Sequence, residues 1–578
     1  MARDGYPLSR RGFLGHAGVL AGGLLAGCGQ ADSPPHAAAD QPRHGGRLRL
    51  GIIDGNQSGN LDAHKPSGSG IVRGFALYSK LWEWDEQMQP RLALAEFAEP
   101  NADASSWTLR LKPGLEFHHG KTIDADDLIF SIRRLTDPQL ASPYAALLHW
   151  VDRDNLVKLD DRTVRLGFRE GRSYLPLAET WVNFGGIVPV DYHPVTNPVG
   201  AGPYKLKSFT PGQRSLFTRF DNYYKPGKPY ADELEIIDFK DQTGRLAALR
   251  AGQIDMANVM STEHLQVLQA DPRLRLLKSV SGNWLSFDMN TAKAPFDDPR
   301  VREAFRLLAD REELVRRALN GQGRVANDLY APFDPTFDHS IGPRPYDPQR
   351  AAQLLREAGH EQLQVELVTT PGPGLASALV LAEQARRIGV TLNVRQVDLA
   401  TFQGPQRDDW TLSTGGSIGA PYLASAIHTD APFAVANKTH FHDREFSEAF
   451  LAAMAQPDLE QRKALVHRAQ RIQYERGGML IWGFADLLDS VSTRVGGAQA
   501  VEGLQVNFSH RACAGLKAGA IPVGAGLPAI GPGQAIEGLQ VYFCHRACAG
   551  LKACAIPVGA GLPAIGPGQA VEGLQVNF

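Results

Sequence analysis

A mixed α/β fold, with a substantially parallel sheet in the second half of the chain, is what the sequence predicts on three observations. Segments alternating apolar and polar residues, the mark of a half-buried strand, recur from Arg47 onward. Between them lie segments of helical period that open at Asp or Pro and close at Gly. From Gln364 to Val397 the order is strand, helix, strand, the crossover that a parallel pair requires. With 43% hydrophobic and 21% charged residues among 578, the chain can build more than one core.

Arg47 to Ile52 alternates with period two and reads as the first strand. Trp107 to Leu111 alternates again and ends at the turn Lys112-Pro113-Gly114. A helix follows over Ala125 to Leu135, with Asp124 as cap and Asp126 and Asp127 near the positive end of its dipole. Leu156 to Phe168 reads as a hairpin turning at Asp160-Asp161, and Val199 to Phe220 as an extended run with turns. Glu233 to Phe239 is a strand and Gln242 to Ala251 a helix closed by Gly252. Trp284 to Met289 alternates once more. Pro299 to Leu319 reads as one long helix, its buried face marked by Val301, Ala304, Phe305, Leu308, Leu314 and Val315. Asp347 to Ala358 is a helix ended by Gly359, Gln364 to Thr369 a strand, Leu375 to Ile388 a helix closed by Gly389, and Val390 to Val397 a strand. Ligands of such folds collect in crevices beyond the strand ends.

Both ends of the chain are of a different kind. Arg3, Arg10 and Arg11 precede an apolar run from Phe13 to Gly27, about fifteen residues against the roughly twenty that a spanning helix needs, so this is a secretory signal rather than a membrane span. Ser9-Arg10-Arg11-Gly12-Phe13-Leu14 resembles a twin-arginine export signal, and Leu25-Ala26-Gly27-Cys28 resembles a lipobox with Cys28 as the acylated residue. The expectation is a periplasmic protein, membrane-anchored through Cys28, with residues 29–46 as a tether. At the other end Glu502 to Phe508 recurs as Glu537 to Phe543 and Glu572 to Phe578, each copy 35 residues after the last. The Gly/Pro-rich stretches between copies cannot build paired helices, so 509–578 reads as a duplicated, low-complexity, disordered tail. Cys513, Cys544, Cys548 and Cys554 all lie in it with no zinc spacing, and the absence of cysteine from Gly29 to His510 leaves no disulfide in the body. A formal net charge of -2 gives no electrostatic reason for a nucleic-acid partner.

Five blocks of the body, in order, carry a resemblance. They are Trp107 to Arg134 (WTLRLKPGLEFHHGKTIDADDLIFSIRR), Val199 to Thr210 (VGAGPYKLKSFT), Leu249 to Met256, Asn290 to Gly321 with its Pro295-Phe296-Asp297, Val301-Arg302 and Asp310-Arg311, and Tyr346 to Gly359 (YDPQRAAQLLREAG). Together they resemble the substrate-binding components of bacterial ABC importers, the family of peptide-, dipeptide- and nickel-binding receptors, over roughly Arg47 to Val506. The resemblance implies a periplasmic binding protein type II-like clamp of two lobes with an additional subdomain and a hinge. Lobe I would comprise 47–70, 187–281 and 490–508, the extra subdomain 71–186, and lobe II 282–489. It implies a monomeric receptor, not an enzyme, without cofactor or metal, that captures a small solute, a peptide or peptide-like molecule, and delivers it to an inner-membrane ABC permease. The body has no phosphate-binding loop, as expected if another subunit hydrolyses ATP. An opine, a sugar or a nickel complex is the alternative solute.

The resemblance directs attention to the segment from Arg407 to Tyr422 as a cleft loop. In peptide receptors an aspartate there pairs with the peptide amine, whereas here no acidic residue lies between Trp410 and Asp430. A buried ammonium without a carboxylate would cost several kcal/mol, and Asp408 and Asp409 are the nearest substitutes. Gly415 and Gly416 would bring backbone amides to carboxylate, amide or sugar oxygens. The candidate ligand contacts are Trp410, Gly415, Gly416, Ser417, Trp284, Tyr422 and Asn183, with Ser67 to Gly70 near the first loop. Gly415 to Gly419 also satisfies G-x-S-x-G, but Ala420-Pro421 opposes the helix that a nucleophile elbow runs into, so a secreted serine hydrolase using Ser417 with Asp443 and His467 is set aside. His118-His119 and the pair His440 and His442 lack further ligands and read as structural or surface residues.

Overall fold

The computed structural model describes residues 44–53, 59–66, 70–85, 89–182, 185–434, 436–500, 502–503 and 517–518. The leader with Cys28, the candidate Asn183, Ser67 to Ser69 and most of the repeat tail lie outside the described residues.

Two large sheets organise the body. In the first, eight strands lie in the spatial order Glu502–Gly503, Leu274–Ser281, Leu487–Ser492, Met256–Ala257, Arg47–Ile53, Glu233–Phe239, Arg214–Arg219 and Tyr204–Thr210. Arg47–Ile53 runs parallel to Glu233–Phe239, pairing Leu48 with Leu234 and Leu50 with Ile236. Its alternation sends Leu48, Leu50 and Ile52 into a core with Tyr204, Phe217, Met256 and Val491. In the second sheet the order is Gly323–Val325, Met479–Ala485, Trp284–Met289, Leu412–Ser417, Gln364–Thr369 and Thr391–Gln396. Gln364–Thr369 is parallel to both its neighbours, as the strand-helix-strand order requires. The central strand Trp284–Met289 is antiparallel to both of its own, so the sheet is mixed rather than substantially parallel. The reason lies in the crossings. The chain leaves the first sheet at Ser281 and enters the second three residues later, at Trp284; it returns through Asp486, between Met479–Ala485 and Leu487–Ser492. These crossings are tied together by Ala485 N donating to Asn283 O (2.8 Å), Ser281 Oγ to Ala485 O (2.8 Å) and Lys278 pairing with Asp486 (3.1 Å).

A third, antiparallel sheet of Ala95–Pro100, Ser106–Leu111, Thr163–Phe168 and Val151–Asp160 packs with the helix Ala125–Leu135 within the segment expected to be the extra subdomain. Asp124 caps that helix by accepting from Asp126 N and Asp127 N, as its sequence predicts. Leu128, Ile132 and Leu135 enter a core that continues from Trp82, Trp107 and Trp181 into Trp284, Tyr330, Tyr422 and Phe446. The subdomain and the second lobe therefore share apolar packing, and the space that matters opens beside it.

Two local expectations are corrected. The helix expected over 299–319 is two, Pro299–Leu308 and Arg311–Ala318, because Ala309 and Asp310 turn extended. Asp310 caps the second by accepting from Glu313 N (2.9 Å), while the Gln384 side chain serves both the N–H and the carbonyl of Asp310. The expected cleft loop is strand through Ser417, with Gly415 paired to Ser286 and Gly416 to Leu285. In the tail, Lys517–Ala518 pair with Val495–Gly496. Among the described residues no helix is long and apolar enough to cross a membrane.

Candidate functional site

The antiparallel pair Trp284–Met289 and Leu412–Ser417 builds one wall of a cavity of about 430 Å³. Because strand side chains alternate, Trp284, Ser286 and Asp288 share a face with Ser413, Gly415 and Ser417 of the partner strand. Trp284, Asp288, Gly416 and Ser417 line the cavity, joined by Gln403, Arg407, His428, Thr429, Lys438, Thr439 and Met479. The opposite wall is Ala141, Ser142, Pro143, Ala145 and Ala146 of the extra subdomain. That loop is held by Ser142 Oγ donating to His64 O (2.5 Å) and by the His149 ring stacked on Phe433 at 4.5 Å.

Glycine at 415 and 416 serves packing as well as access. A Cβ at Gly415 would overlap the Asp288 carboxylate, so the missing side chain is what leaves room for that group. Gly416 has φ +150°, and a Cβ there would come within 2.6 Å of Trp284 O.

Asp288 is buried and accepts from Ser286 Oγ at 2.6 Å. Burial raises its pKa, while Lys438 and the Ser286 bond pull it back. Behind the wall, Asp430 accepts from Tyr330 (3.0 Å), Gln473 (2.7 Å) and Thr429 (3.2 Å), and burial pushes its carboxyl up to about 6 against those bonds. Burial lowers the His428 pKa, and Arg407 and Lys438 lower it further. Arg407 pairs with Asp408 at 3.1 Å, whereas the Lys438 ammonium rests over the Phe402 ring at 4.8 Å.

The expected contacts divide. Trp284, Gly416 and Ser417 line the cavity; Trp284 stacks on Tyr330 at 5.9 Å, and its indole N–H has no partner among the described residues. Gly415 sits under Asp288. Tyr422 is fully buried, donates to Gln473 (2.6 Å) and is not among the lining residues. Trp410 also stays outside: it packs on Val368 and Phe402 with the Arg395 guanidinium over its ring at 4.9 Å. Asp409 pairs with Lys293 at 3.4 Å, and neither it nor Asp408 lines the cavity. Sequence reasoning placed Arg407 in the cleft segment without making it a contact, and it missed Asp288, His428, Lys438 and the 141–146 loop as lining residues. Asp288 had a signal, an acid on the same alternating face as Trp284; Lys438 had none.

The histidines are structural in their contacts. His118 is mostly buried and bonded to Gly202 O (3.0 Å), with its pKa lowered to about 4 by burial, and His440 bonds Asp408 O at 2.7 Å. Among the described residues no three His, Cys, Asp or Glu side chains come together as a metal site would need.

Comparison with known proteins agrees with this architecture. The family model described as "Bacterial extracellular solute-binding proteins, family 5 Middle" matches residues 87–426. A "Di/tripeptide-binding protein 2" of Pseudomonas aeruginosa is 28% identical over 422 residues, 66% of this chain and 79% of that protein. A solved structure of the PBP AgaA from A. tumefaciens R10 in complex with agropinic acid superposes with a TM-score of 0.73 at 23% identity, covering 82% of this chain and 99% of the other. The periplasmic binding protein DppA from Helicobacter pylori in complex with peptide STSA does so with 0.71 at 20%, covering 82% and 99%. The fold is the two-lobed type II periplasmic-binding-protein fold with its extra subdomain, and family and fold are those of non-catalytic receptors. With more than half its length matched, the chain belongs to the family 5 bacterial extracellular solute-binding proteins, the small-solute receptors of ABC import systems.

Proposed function

We propose that this receptor captures a short peptide or peptide-like solute in the cavity beside Trp284 and delivers it to an inner-membrane permease. The observation that carries the reading is the cavity itself: about 430 Å³, of the size small-molecule sites have, with Trp284 and several small apolar residues on its walls and a few polar groups lining it. The peptide-binding names of relatives support it. A non-peptide, opine-like solute is the second reading, supported by the absence of an acid from Thr411 to Thr429 and by the agropinic acid of the AgaA complex. Calorimetry on short peptides with free and with acetylated amines separates them. Tight binding of the free form, with a loss above about 3 kcal/mol on acetylation, supports the peptide reading; equal binding rejects it. Mass spectrometry of solute released on denaturing protein from its native host then identifies the occupant.

The sheet memberships support lobe I over 47–70, 187–281 and the return near 490–508, with the return strand beginning at Leu487 rather than 490, and lobe II over most of 282–489; the separate sheet within 95–168 supports a subdomain inside 71–186, while Phe75 to Tyr78 pack in the core of the first sheet. The twin-arginine signal at Arg10-Arg11 and acylation of Cys28 belong to the same proposal, with a monomeric, lipid-anchored receptor in the periplasm. Arg10→Lys with Arg11→Lys is expected to stop export, and Cys28→Ala to leave an exported protein without lipid; fractionation and lipid labelling read the two outcomes separately.

A further inference from the structure

The cavity is electrically lopsided. Two cations, Arg407 and Lys438, line it, and Asp288 is the acid that lines it with them. Arg407 is matched by Asp408, which lies outside the lining. Lys438 makes no ion pair among the described residues, its ammonium held over the face of Phe402. Asp288 shares the cavity without coming into ion-pair contact with Lys438, and Ser286 Oγ occupies one of its oxygens at 2.6 Å. The lowered pKa of His428, caused partly by Arg407 and Lys438, reports the same positive field. Gln403 and Ser417 add polar donors nearby. An ammonium on the cavity lining without an ion-pair partner among the described residues gains most from an anion brought by the occupant.

We propose that Lys438 is the counter-ion of a carboxylate on the solute, so that this receptor selects anionic over uncharged forms of otherwise identical molecules. This rests on the cavity being the solute site. A primary ammonium suits a single carboxylate oxygen as a point charge and leaves the rest of the anion to Ser417 and Gln403.

The test uses the full chain and matched probes, each as its acid and as its carboxamide: short peptides, N-acetylated short peptides, and N-carboxyalkyl amino acids. Calorimetry is run on the wild type and on Lys438→Met and Lys438→Arg. The expectation is that acids bind the wild type at least about tenfold more tightly than their amides, that Lys438→Met removes most of that preference with little change for amides, and that Lys438→Arg keeps it. A thermal melt without solute separates loss of fold from loss of preference, and a Lys438→Met chain that fails to fold leaves the wild-type acid-to-amide ratio as the deciding measurement. Equal affinity for acid and amide, retention of the preference by Lys438→Met, or no binding of any acid at millimolar concentration overturns the assignment. Failure of the receptor reading looks different: denatured protein from the native host then releases no small solute of any charge.

Discussion

Trp410 and Trp284 show how two tryptophans with similar sequence settings come to do different work. Trp284 lines the cavity from an alternating strand, whereas Trp410 fills a small apolar cluster with Val368 and Phe402. Trp410→Ala is therefore expected to cost about 3 kcal/mol of stability in urea unfolding while changing solute affinity less than about threefold, as a cavity in packing would. An affinity loss of a hundredfold without destabilisation would instead make Trp410 a ligand contact. Gly415 is constrained by its neighbour across the strand pair. Gly415→Ala is expected to destabilise by about 1–3 kcal/mol, because the new methyl displaces a buried carboxylate, and adding Asp288→Ala should restore much of the loss. If the double variant is no better than the single one, the overlap with Asp288 is not the cause.

At the scale of elements, capping decides where helices begin. Asp124 opens Ala125–Leu135 with a full capping box, its carboxylate also 2.9 Å from Lys121 Nζ. Asp124→Ala should lower stability by about 1 kcal/mol, and Asp124→Asn or Asp124→Ser by less, read from denaturant midpoints at constant m. A cap likewise explains why one apolar stripe over 299–319 became two helices. The apolar positions resume at Leu314 and Val315, but Asp310 has its own helix to cap and Gln384, more than seventy residues later in the chain, accommodates the break.

For the whole molecule, pH links buried carboxyls to stability. Asp489, in the strand just after the return crossing, accepts from Val259 N (2.8 Å), and burial pushes its pKa up to about 7, with that bond and Arg245 pulling the other way. The folded pKa lies above the unfolded one. The contribution is thus fully present at low pH and is lost as pH rises from about 4 to about 7. Asp489→Asn keeps an acceptor for Val259 and removes the titration, so its stability relative to wild type should rise by about 2–3 kcal/mol between pH 5 and pH 8. A constant difference across that range would show that Asp489 titrates normally. The tail offers a second whole-chain test. A chain ending at Phe508 gives up the two-residue pairing of Lys517–Ala518 with Val495–Gly496 and should melt within about 5 °C of the full chain with solute affinity intact. A larger drop would mean that the repeat packs on the body.

What the sequence determined by itself was local: the strand at Arg47, the capped helix at Asp124, the crossover from Gln364 to Gln396, and the ordered blocks that name the family. Periodicity and capping act over a few residues, so they are legible in one dimension. The site was legible only in part. Trp284, Gly416 and Ser417 line the cavity because they occupy facing positions of one strand pair, and a glycine-rich stretch read as loop became strand once Trp284–Met289 lay beside it. Tertiary structure alone brought Lys438 and Asp288, 150 positions apart in the chain, to the same space, set the 141–146 loop against them, and withdrew Trp410 and Tyr422 into packing. Charge and burial at a cavity depend on register between distant segments and on which groups find partners there, and neither quantity is written in the spacing of residues along the chain.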